Sequence, residues 1–523
     1  MLDVLLKHAR ILDGSGNPWY RGSVGIQGDR IVAVGHIATD DAARTIDCND
    51  QIVSPGFIDM HSHADVMLLA EPRHEGKIYQ GVTTDLLGQD GLSYAPVSPD
   101  TLALLRRHLA ALNGNPDIAW DWTSVASFLA RFDQQVSTNV AFLVPHCAVR
   151  AEVLGMEDRL PTPNELEQMC QLVEDGMADG AVGFATGLDY TPQFWSDTHE
   201  LVELCKAVAR RGGIYVTHVR YSLGDGVLDP VAEAIEIARR SGVRLQISHL
   251  RGDRLDKPYT PRDILGQLER ARAEGVDVTF DNYPYTRGSS LLHRQLPEWT
   301  HVGGPDAIIA RLKDATTRER IEAEMTAANT PWDNVTMASI NSSESRQLEG
   351  WSVAEAANEA GKTPPAYVCD LLVETDLGVS YVSQSTSSDA SLNEMLAHSL
   401  ATHGSDGLCI GSRRHPRSYG SFARVLGTFV REQNVMPLED AVRKLTSAPA
   451  LRLGLKDRGL VREGFVADLA VWDEKTIADR STYEQPLVTA TGVSHVFVSG
   501  VLALANGQHT GATPGRALKP LLR

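Results

Sequence analysis

Short apolar runs alternate with amphipathic segments through the middle of the chain, and this alternation limits the fold more than any other feature. Four of the runs are VAFLVPH, GAVGFATG, GIYVTH and VRLQISH, at residues 140–146, 180–187, 213–218 and 243–249. Helical segments lie between them, such as PNELEQMCQLVEDGMADG at 163–180 and PVAEAIEIARRSG at 230–242, and each ends in a glycine. Strands that alternate with helices in this way predict parallel βαβ units.

The two ends of the chain show a different pattern, of short strands separated by Gly, Asn and Asp turns. Each end alone is too short to bury a stable face, so we expect residues 1–54 and 451–523 to form one small β-sandwich together. Residues 55–450 then form the barrel, with the polar, helix-poor stretch 330–364 as an excursion from it. The predicted fold class is α/β, a TIM-type (β/α)8 barrel with a small β-sandwich domain formed by both termini.

Charge and cysteine content exclude several classes of function. The net charge of −18 disfavours nucleic acid or an anionic membrane as a partner. The six cysteines are widely spaced without a CxxC pair, which argues against a disulfide framework and against a zinc ribbon. No apolar run approaches the roughly 20 residues that span a bilayer, and the N-terminal segment lacks the pattern of a secretory leader. We therefore expect a cytoplasmic protein, and a homo-oligomer is compatible with the sequence.

Two histidines that are two residues apart follow an apolar run near residue 60. In PGFIDMHSHAD, at residues 55–65, His61 and His63 come directly after the run Ile52–Ile58. Residues i and i+2 of a strand point the same way, so both imidazoles would converge on one cation. An HxH pair alone is equally consistent with two unrelated loop histidines, but the preceding strand and the neighbouring Asp59 and Asp65 favour a metal site.

Further candidate ligands stand at the ends of later strands. His218 ends GIYVTH, His249 ends VRLQISH, and Asp406 lies in THGSDG after a weaker apolar run. A single histidine at a strand end is more often structural, and an SDG tripeptide alone is usually a turn. Catalytic groups collect at the C-terminal ends of barrel strands, and four imidazoles with a carboxylate are suitable ligands for one or two Zn²⁺-like ions with open positions.

Longer motifs extend over nearly the whole chain. They are PGFIDMHSHAD, GVTTDLLGQDGLSYAPV, GAVGFATGLDYTP, YVTHVR, ISHLRG, DNYPYTRGSSLL, GSDG and HPRSYGSFARVLG. Together they resemble the N-acyl-D-amino-acid deacylase (D-aminoacylase) family of the amidohydrolase superfamily, and the last four in this order are specific to that branch. The resemblance implies a (β/α)8 barrel with a small β-domain from both termini. It also implies a zinc-dependent hydrolase that converts an N-acyl-D-amino acid to a carboxylate and a free amino acid.

The resemblance implies a role for each candidate metal ligand. His61 and His63 would serve one metal position, with Asp406 as both ligand and general base. His218 and His249 would hold the other position. One or two Zn²⁺ ions would be bound there, with another divalent metal as an alternative.

The resemblance also implies a binding site for the substrate carboxylate, and the sequence departs from the family pattern at two positions. Arg251, Tyr283 and Arg417 would bind the carboxylate, and Ser289 lies in the same substrate-side stretch. Where the family usually carries a metal-bridging cysteine in a segment like GNCG, this chain has GQDG with Asp90. We expect the Asp90 carboxylate to replace the sulfur, with a turn residue as the alternative and Cys147 as an outside source of sulfur. The second departure is Arg251, where the family usually has lysine.

Three alternative functions remain open from the sequence. Hydantoinase- or dihydropyrimidinase-like enzymes use a carboxylated lysine as a metal bridge, but GAVGFATG offers no lysine. Deaminases of the superfamily usually carry glutamate three residues after the first later histidine, and this chain has Tyr221 there. A non-catalytic scaffold would have lost ligands, whereas this chain keeps them.

Overall fold

Eight parallel strands form the centre of the molecule. The computed structural model describes residues 1–37, 41–253, 257–385 and 387–520. Neighbouring strands of the central sheet follow one another in chain order, and every pair is parallel. The eight barrel strands are Phe57–Asp59, Val82–Leu87, Asn139–Pro145, Gly183–Gly187, Ile214–His218, Arg244–Ile247, Val278–Asn282 and Ala401–His403.

The residues just beyond the first and eighth barrel strands close the sheet into a barrel. The short strand Ser62–His63 pairs in parallel with Gly407–Leu408. The amide of Met60 donates to the carbonyl of His403 at 3.1 Å, and the amide of Asp406 donates to the carbonyl of His61 at 2.7 Å. The predicted (β/α)8 barrel is therefore confirmed, and its closing seam contains three of the candidate metal ligands.

Helices surround the barrel, and local sequence signals fix several of their ends. Thr162 and Glu165 form a capping box at the start of Pro163–Asp179, and Gly242 ends Leu228–Ser241 in a left-handed conformation. Among the described residues, no helix is both long and apolar enough to cross a membrane. The helices around the barrel are Met67–Ala70, Glu75–Ile78, Pro99–His108, Ala110–Asn113, Val125–Leu129, His146–Leu154, Pro163–Asp179, Thr198–Arg210, Leu228–Ser241, Pro261–Ala273, Asp389–Ala397, Arg417–Arg424, the π-helix Val425–Glu432, Leu438–Leu445 and Ser447–Arg452.

Strands from both ends of the chain form one nine-stranded sheet beside the barrel. The C-terminal strand Leu469–Trp472 joins the two groups, because it pairs with Ile52–Pro55. One side of the sheet encloses its own apolar core, and the other packs on the helices that follow the eighth barrel strand. The nine strands are Leu2–Ile11, Tyr20–Gln27, Arg30–Gly35, Ala42–Asp47, Ile52–Pro55, Leu469–Trp472, Val493–Val498, Val501–Ala505 and Gln508–His509.

An insertion between the seventh and eighth barrel strands has a core of its own. A three-stranded sheet of Ser289–Leu291, Val335–Ile340 and Val379–Ser383 packs with the helices Gly304–Lys313, Ala315–Ala327, Val353–Glu359 and Pro364–Glu374. The expected excursion at 330–364 covers only part of this unit. That stretch is also more regular than expected, because Ser352 and Glu355 form a capping box that starts a helix and VTMASI forms a strand.

Candidate metal centre and active site

The six residues predicted to hold metal converge at the C-terminal end of the barrel. They follow or end five different barrel strands, and all are buried or nearly so. His61, His63 and Asp406 place one potential ligand atom each within 4.8 Å of one another, and His61, Asp90 and His249 do the same. His218 adjoins the second group, since its Nδ1 lies 3.0 Å from Nε2 of His249. The structure thus brings together all the ligands that the sequence predicts.

Asp90 lies at the centre of this cluster. Its Oδ1 lies 3.5 Å from Nε2 of His61. Its Oδ2 lies 3.6 Å from Nε2 of His63, 3.6 Å from Nε2 of His249 and 3.8 Å from Nδ1 of His218. One carboxylate therefore contacts imidazoles of both predicted metal positions, which is the placement that a bridging ligand requires.

The spacing and chemistry of these atoms fit a divalent cation. Ligand atoms that each lie about 2.0–2.1 Å from a tetrahedral ion are roughly 3.4 Å apart, close to the 3.3 Å between His63 Nε2 and Asp406 Oδ1. Nε2 of His61 and Oδ1 of Asp90 are buried without a hydrogen-bond partner among the described residues. Buried polar atoms normally have a hydrogen-bond partner or a ligand, so a ligand outside the chain accounts for these two atoms.

Cys147, the alternative source of sulfur, belongs to neither ligand group, and burial raises the pKa of its thiol.

Three of the ligand residues adopt a left-handed backbone conformation. The φ angles are 54° at Asp90, 35° at His249 and 52° at Asp406. Close packing holds the Asp90 loop in place, because Gln193 donates from Nε2 to the Asp90 carbonyl at 3.0 Å. A Cβ at Gly187 would lie 2.4 Å from that carbonyl oxygen, so only glycine fits there. Such strained backbone collects at functional sites.

Burial and neighbouring charges shift the pKa values of several residues in the ligand cluster. Burial alone would lower the pKa of His61, but the carboxylates of Asp90, Asp406 and Asp281 outweigh burial and raise it. Burial alone would raise the pKa of Asp406, but Arg417 and His61 hold it well below its usual range. The pKa of His218 is lowered, chiefly by burial. Asp406 is therefore ionised and His218 is neutral near neutral pH, as ligands must be.

Two aspartates that the sequence analysis missed contact the outer nitrogens of the imidazoles. Oδ1 of Asp281 lies 3.3 Å from Nδ1 of His61 and accepts from the His249 amide at 2.9 Å. Oδ2 of Asp189 lies 3.4 Å from Nε2 of His218. Carboxylates in such positions fix the orientation of a ligating imidazole. In the sequence, the feature that could have identified these two aspartates is an acidic residue in or just after a buried barrel strand, within the motifs DNYPY and GLDYTP.

A buried ion pair supports the loop that carries the HxH pair. Asp59 accepts from the amide of His61 at 3.0 Å and from the amide of Ser405 at 2.8 Å. Lys77 pairs with Asp59 and donates to the hydroxyl of Ser405 at 2.5 Å. One carboxylate thus links the first barrel strand to the segment that carries Asp406.

A cavity of about 320 Å³ opens onto the ligand cluster. His63, Asp90, His218, His249 and Asp406 form its floor, and the predicted substrate residues Arg251, Tyr283 and Ser289 line its side. The Arg251 guanidinium lies over the Tyr283 ring, 4.3 Å from the centroid, and donates to the carbonyl of Tyr285 at 2.5 Å. Ser289 donates to the carbonyl of Tyr381 at 2.8 Å.

Arg417 lies behind this cavity rather than on its surface. Its side chain is 1% exposed, its Nη1 lies 2.8 Å from Oδ2 of Asp406, and its guanidinium lies 4.5 Å from the Tyr283 ring centroid. Within the described residues, none of its three guanidinium nitrogens has a hydrogen-bond partner of good geometry. Buried donors of this kind are costly unless something outside the chain accepts from them.

Comparisons with known proteins agree with this arrangement. A profile of the Amidohydrolase family matches residues 44–503. An N-acyl-D-glutamate deacylase of Alcaligenes xylosoxydans xylosoxydans is 33% identical over 526 residues, which cover 99% of this chain and 96% of that protein. The chain belongs to the D-aminoacylase family of amidohydrolases. A D-aminoacylase of the same organism is 32% identical over 99% of this chain and 97% of its own length.

Solved structures extend the likeness to the whole fold. An N-acyl-D-glutamate deacylase from Bordetella bronchiseptica has a TM-score of 0.83 and 30% identity, covering 99% of each chain. Its crystals contain zinc and a phosphonate inhibitor that mimics the tetrahedral intermediate. A D-hydantoinase, 14% identical with a TM-score of 0.59, shares the fold alone. The predicted family, fold and metal-dependent hydrolase class are thereby confirmed, and the D-aminoacylase family member described here carries Asp90 at the centre of its ligand cluster.

Proposed function

We propose that this enzyme removes the acyl group from N-acyl-D-amino acids. The observation that carries the proposal is the Arg251 guanidinium, which lines the cavity over the ring of Tyr283 beside the ligand cluster, with the buried Arg417 on the same ring behind it. Arginine is suited to grip a carboxylate because its planar fork donates two parallel hydrogen bonds. One carbon separates the carboxylate of such a substrate from its amide nitrogen, so this grip brings the scissile bond to the cluster. The D configuration follows the relatives, whose names specify D-amino acids.

The residues of the chain divide the chemistry among them. His61, His63, Asp90, His218, His249 and Asp406 would hold one or two zinc ions. A divalent cation, when bound, polarises the scissile carbonyl and acidifies water. Asp406 takes a proton from the attacking water and delivers it to the leaving nitrogen. Arg417 keeps Asp406 ionised for this role, and Asp281 and Asp189 hold the imidazoles in orientation.

Arg294 favours a substrate with an acidic side chain. It lines the cavity beside Tyr190, its side chain is 35% exposed, and one nitrogen donates to Oδ2 of Asp189 at 2.8 Å. Among the described residues Asp189 is the one hydrogen-bond partner of this guanidinium, so its remaining donors can bind a second carboxylate in the cavity. Two of the relatives act, by name, on N-acyl-D-glutamate and N-acyl-D-aspartate.

The other superfamily reactions have less support at this site. No lysine is among the residues that line the cavity in the described part of the chain, so a carboxylated-lysine bridge has no source there. Tyr221, where deaminases carry glutamate, packs edge-on against the His218 ring with centroids 5.1 Å apart.

We also propose that the enzyme acts in the cytoplasm on a small-molecule substrate. All six cysteines are free thiols, which is typical of proteins in a reducing compartment.

A substrate panel tests the proposal. Zinc-loaded enzyme is given the N-acetyl and N-formyl derivatives of D- and L-glutamate, aspartate, leucine and methionine, and free amine is measured. We expect turnover of D substrates, with D-glutamate or D-aspartate preferred. Absence of turnover on every D substrate by metal-loaded enzyme would refute the proposal.

Arg294→Met tests the side-chain preference separately. Loss of one charge-assisted contact, worth about 1.5–3 kcal/mol, should lower kcat/KM on the acidic substrate about 10- to 150-fold and spare N-acetyl-D-leucine. The matched control is Arg320→Met, an exposed arginine on a distant helix. An equal loss on both substrates would assign Arg294 to the fold rather than to specificity.

A further inference from the structure

A second and larger cavity lies at the opposite end of the barrel from the candidate metal centre. Its volume is about 920 Å³, within the range of roughly 300–1,000 Å³ that small-molecule sites occupy. It forms where the N-terminal ends of barrel strands six to eight meet the helix Ser447–Arg452 and the segment that leads into the terminal sheet. Six cationic side chains line it: Arg244, Arg272, Arg443, Arg452, Lys456 and Arg458.

Within the described part of the chain, half of these cations have no carboxylate partner. Arg443 pairs with Asp440 at 2.8 Å, Arg452 pairs with Asp277 at 2.7 Å, and Arg458 pairs with Asp468. By contrast, Arg244, Arg272 and Lys456 have no acidic side chain within 4.0 Å among residues 1–37, 41–253, 257–385 and 387–520. Their recorded hydrogen bonds within the described residues go to backbone carbonyls: Arg244 donates to those of Arg452 and Gly212, and Arg272 donates to that of Val278. Such an excess of positive charge is unusual in a chain whose net charge is −18.

Arg452 shows that the charges in this cavity act on one another. Its side chain is 6% exposed, and its Nε has no hydrogen-bond partner in the described residues. Burial lowers the pKa of Arg452 to about 10, and although Asp277 opposes this shift, the nearby Arg244 and Arg272 add to it. Asp277 alone therefore faces three neighbouring guanidiniums, those of Arg452, Arg244 and Arg272, and one carboxylate does not balance their charge.

We propose that this cavity binds a small multivalent oxyanion, a phosphate- or sulfate-bearing or polycarboxylate molecule distinct from the substrate. Arg244 and Arg452 form the floor of the site, and the exposed Arg272 and Lys456 form its rim. Guanidinium forks match tetrahedral and planar oxyanions, and an anion with two or more charges offsets the excess of the unpaired cations. Because the lining residues come from both the barrel and the C-terminal segment, the bound anion stabilises the contact between them.

Sulfate is the probe for the first test, because it is divalent and chelates zinc weakly. The thermal midpoint of the zinc-loaded enzyme is measured against sulfate concentration, with sodium chloride added to hold ionic strength constant. We expect a saturable rise in the midpoint, as a ligand that binds only the folded state produces. A rise that depends on ionic strength alone, or none at all, would overturn the proposal.

Variants at the rim locate the site. In Arg272→Gln/Lys456→Gln the apparent Kd for sulfate should rise at least about tenfold, because two charge-assisted contacts are lost. Both side chains are exposed, so the fold should survive. Arg262→Gln/Lys475→Gln removes the same charge from exposed positions outside the cavity and should leave Kd unchanged.

The remaining outcomes separate this cavity from the metal centre. If sulfate binds equally well to both double variants, the anion binds elsewhere, for example at the metal centre, and the proposal is wrong. Repeating the titration with succinate identifies the kind of anion: tighter sulfate binding indicates a phosphate- or sulfate-bearing ligand, and tighter succinate binding indicates a polycarboxylate. If tight binding of either anion is lost in Arg272→Gln/Lys456→Gln and kept in Arg262→Gln/Lys475→Gln, the result supports this cavity as the binding site.

Discussion

Nδ1 of His61 lies 3.3 Å from Oδ1 of Asp281, whereas Nε2 of the same ring faces Asp90 and Asp406. Asp281 therefore orients the His61 ring through Nδ1, and Nε2 is available to bind a metal ion. Asp281 also accepts from the His249 amide, so one carboxylate positions residues of both predicted metal positions.

Replacing Asp281 by asparagine should weaken metal binding without removing a ligand. Loss of a carboxylate behind a ligating histidine typically costs about 10- to 100-fold in metal affinity or activity. Competition with a chromogenic chelator measures the zinc Kd, and circular dichroism checks the fold. Asp333→Asn, at an exposed position, is the matched control. Unchanged zinc affinity in Asp281→Asn would show that the contact is only structural.

Asp406→Asn should separate metal binding from proton transfer. The amide keeps the shape and one oxygen, but it cannot accept a proton, so kcat should fall about 10²- to 10⁴-fold or more. Bound zinc, measured by mass spectrometry of the metal, should fall much less. Because Arg417 holds the pKa of Asp406 far below its usual range, the wild-type rate should not decline through titration of this group until well below pH 4. A near-normal kcat at saturating zinc would reject Asp406 as the base.

Arg251→Met should discriminate between acids and amides, because Arg251 lines the cavity whereas Arg417 lies behind it. The substrate carboxylate would then lose a charge-assisted contact with the guanidinium. We therefore expect kcat/KM on the N-acyl-D-amino acid to drop about 10- to 150-fold. The corresponding amino amide lacks that charge and should be affected much less. If acid and amide lose equally, Arg251 supports the fold rather than the substrate, and other groups must bind the carboxylate.

Asp90→Cys should change the kind of metal ion that the centre prefers. A thiolate is a softer ligand than a carboxylate, so affinity for Cd²⁺ should rise relative to Mn²⁺. The Co²⁺ form should gain a sulfur-to-cobalt charge-transfer band in the near ultraviolet, which reports ligation independently of turnover. Cys147→Ala in the same background should leave the band intact. A Co²⁺ form without the band would show that residue 90 does not contact the ion.

Asp85 should contribute to stability above pH 4. It is buried, lies 3.3 Å from Nε2 of His74 and 3.7 Å from Nζ of Lys77, and accepts from Thr138 at 2.8 Å. Burial alone would raise its pKa, but His74 and Lys77 hold the pKa well below the ordinary value of 3.8. A lowered folded-state pKa means that the stabilisation is present above 3.8 and is lost as pH falls through the folded value.

The variant Asp85→Asn tests this stabilisation. Its thermal midpoint should fall at pH 7, because removing one member of a buried ion pair costs about 3–5 kcal/mol. The loss relative to wild type should shrink as pH falls toward 3. Zinc release affects both proteins, so the comparison uses the difference between their midpoints. Asp306→Asn, an exposed carboxylate, should show little effect at any pH. A pH-independent difference would contradict the assignment.

The sequence predicted the barrel because its buried strands are apolar and its helices carry strong end signals, such as Thr162 with Glu165. It predicted the ligand set because histidines at strand ends share one edge of a parallel barrel. It could not place Asp281 or Asp189, since a single aspartate near a strand end carries no information about which imidazole it contacts. Nor could it show that Arg417 lies behind Asp406, because that contact joins a helix to a loop through tertiary packing alone.

The left-handed backbone at Asp90, His249 and Asp406 has a consequence for how the molecule tolerates change. Each such residue costs of order 1–3 kcal/mol, which glycine at the same position would largely avoid. Glycine at position 249 should therefore give a protein that is inactive yet melts higher than the alanine variant, once both are free of metal. At these three places thermal stability and chemistry favour different residues. A chain built for thermal stability alone would carry glycine at these positions, so the three ligands keep their places at the expense of stability.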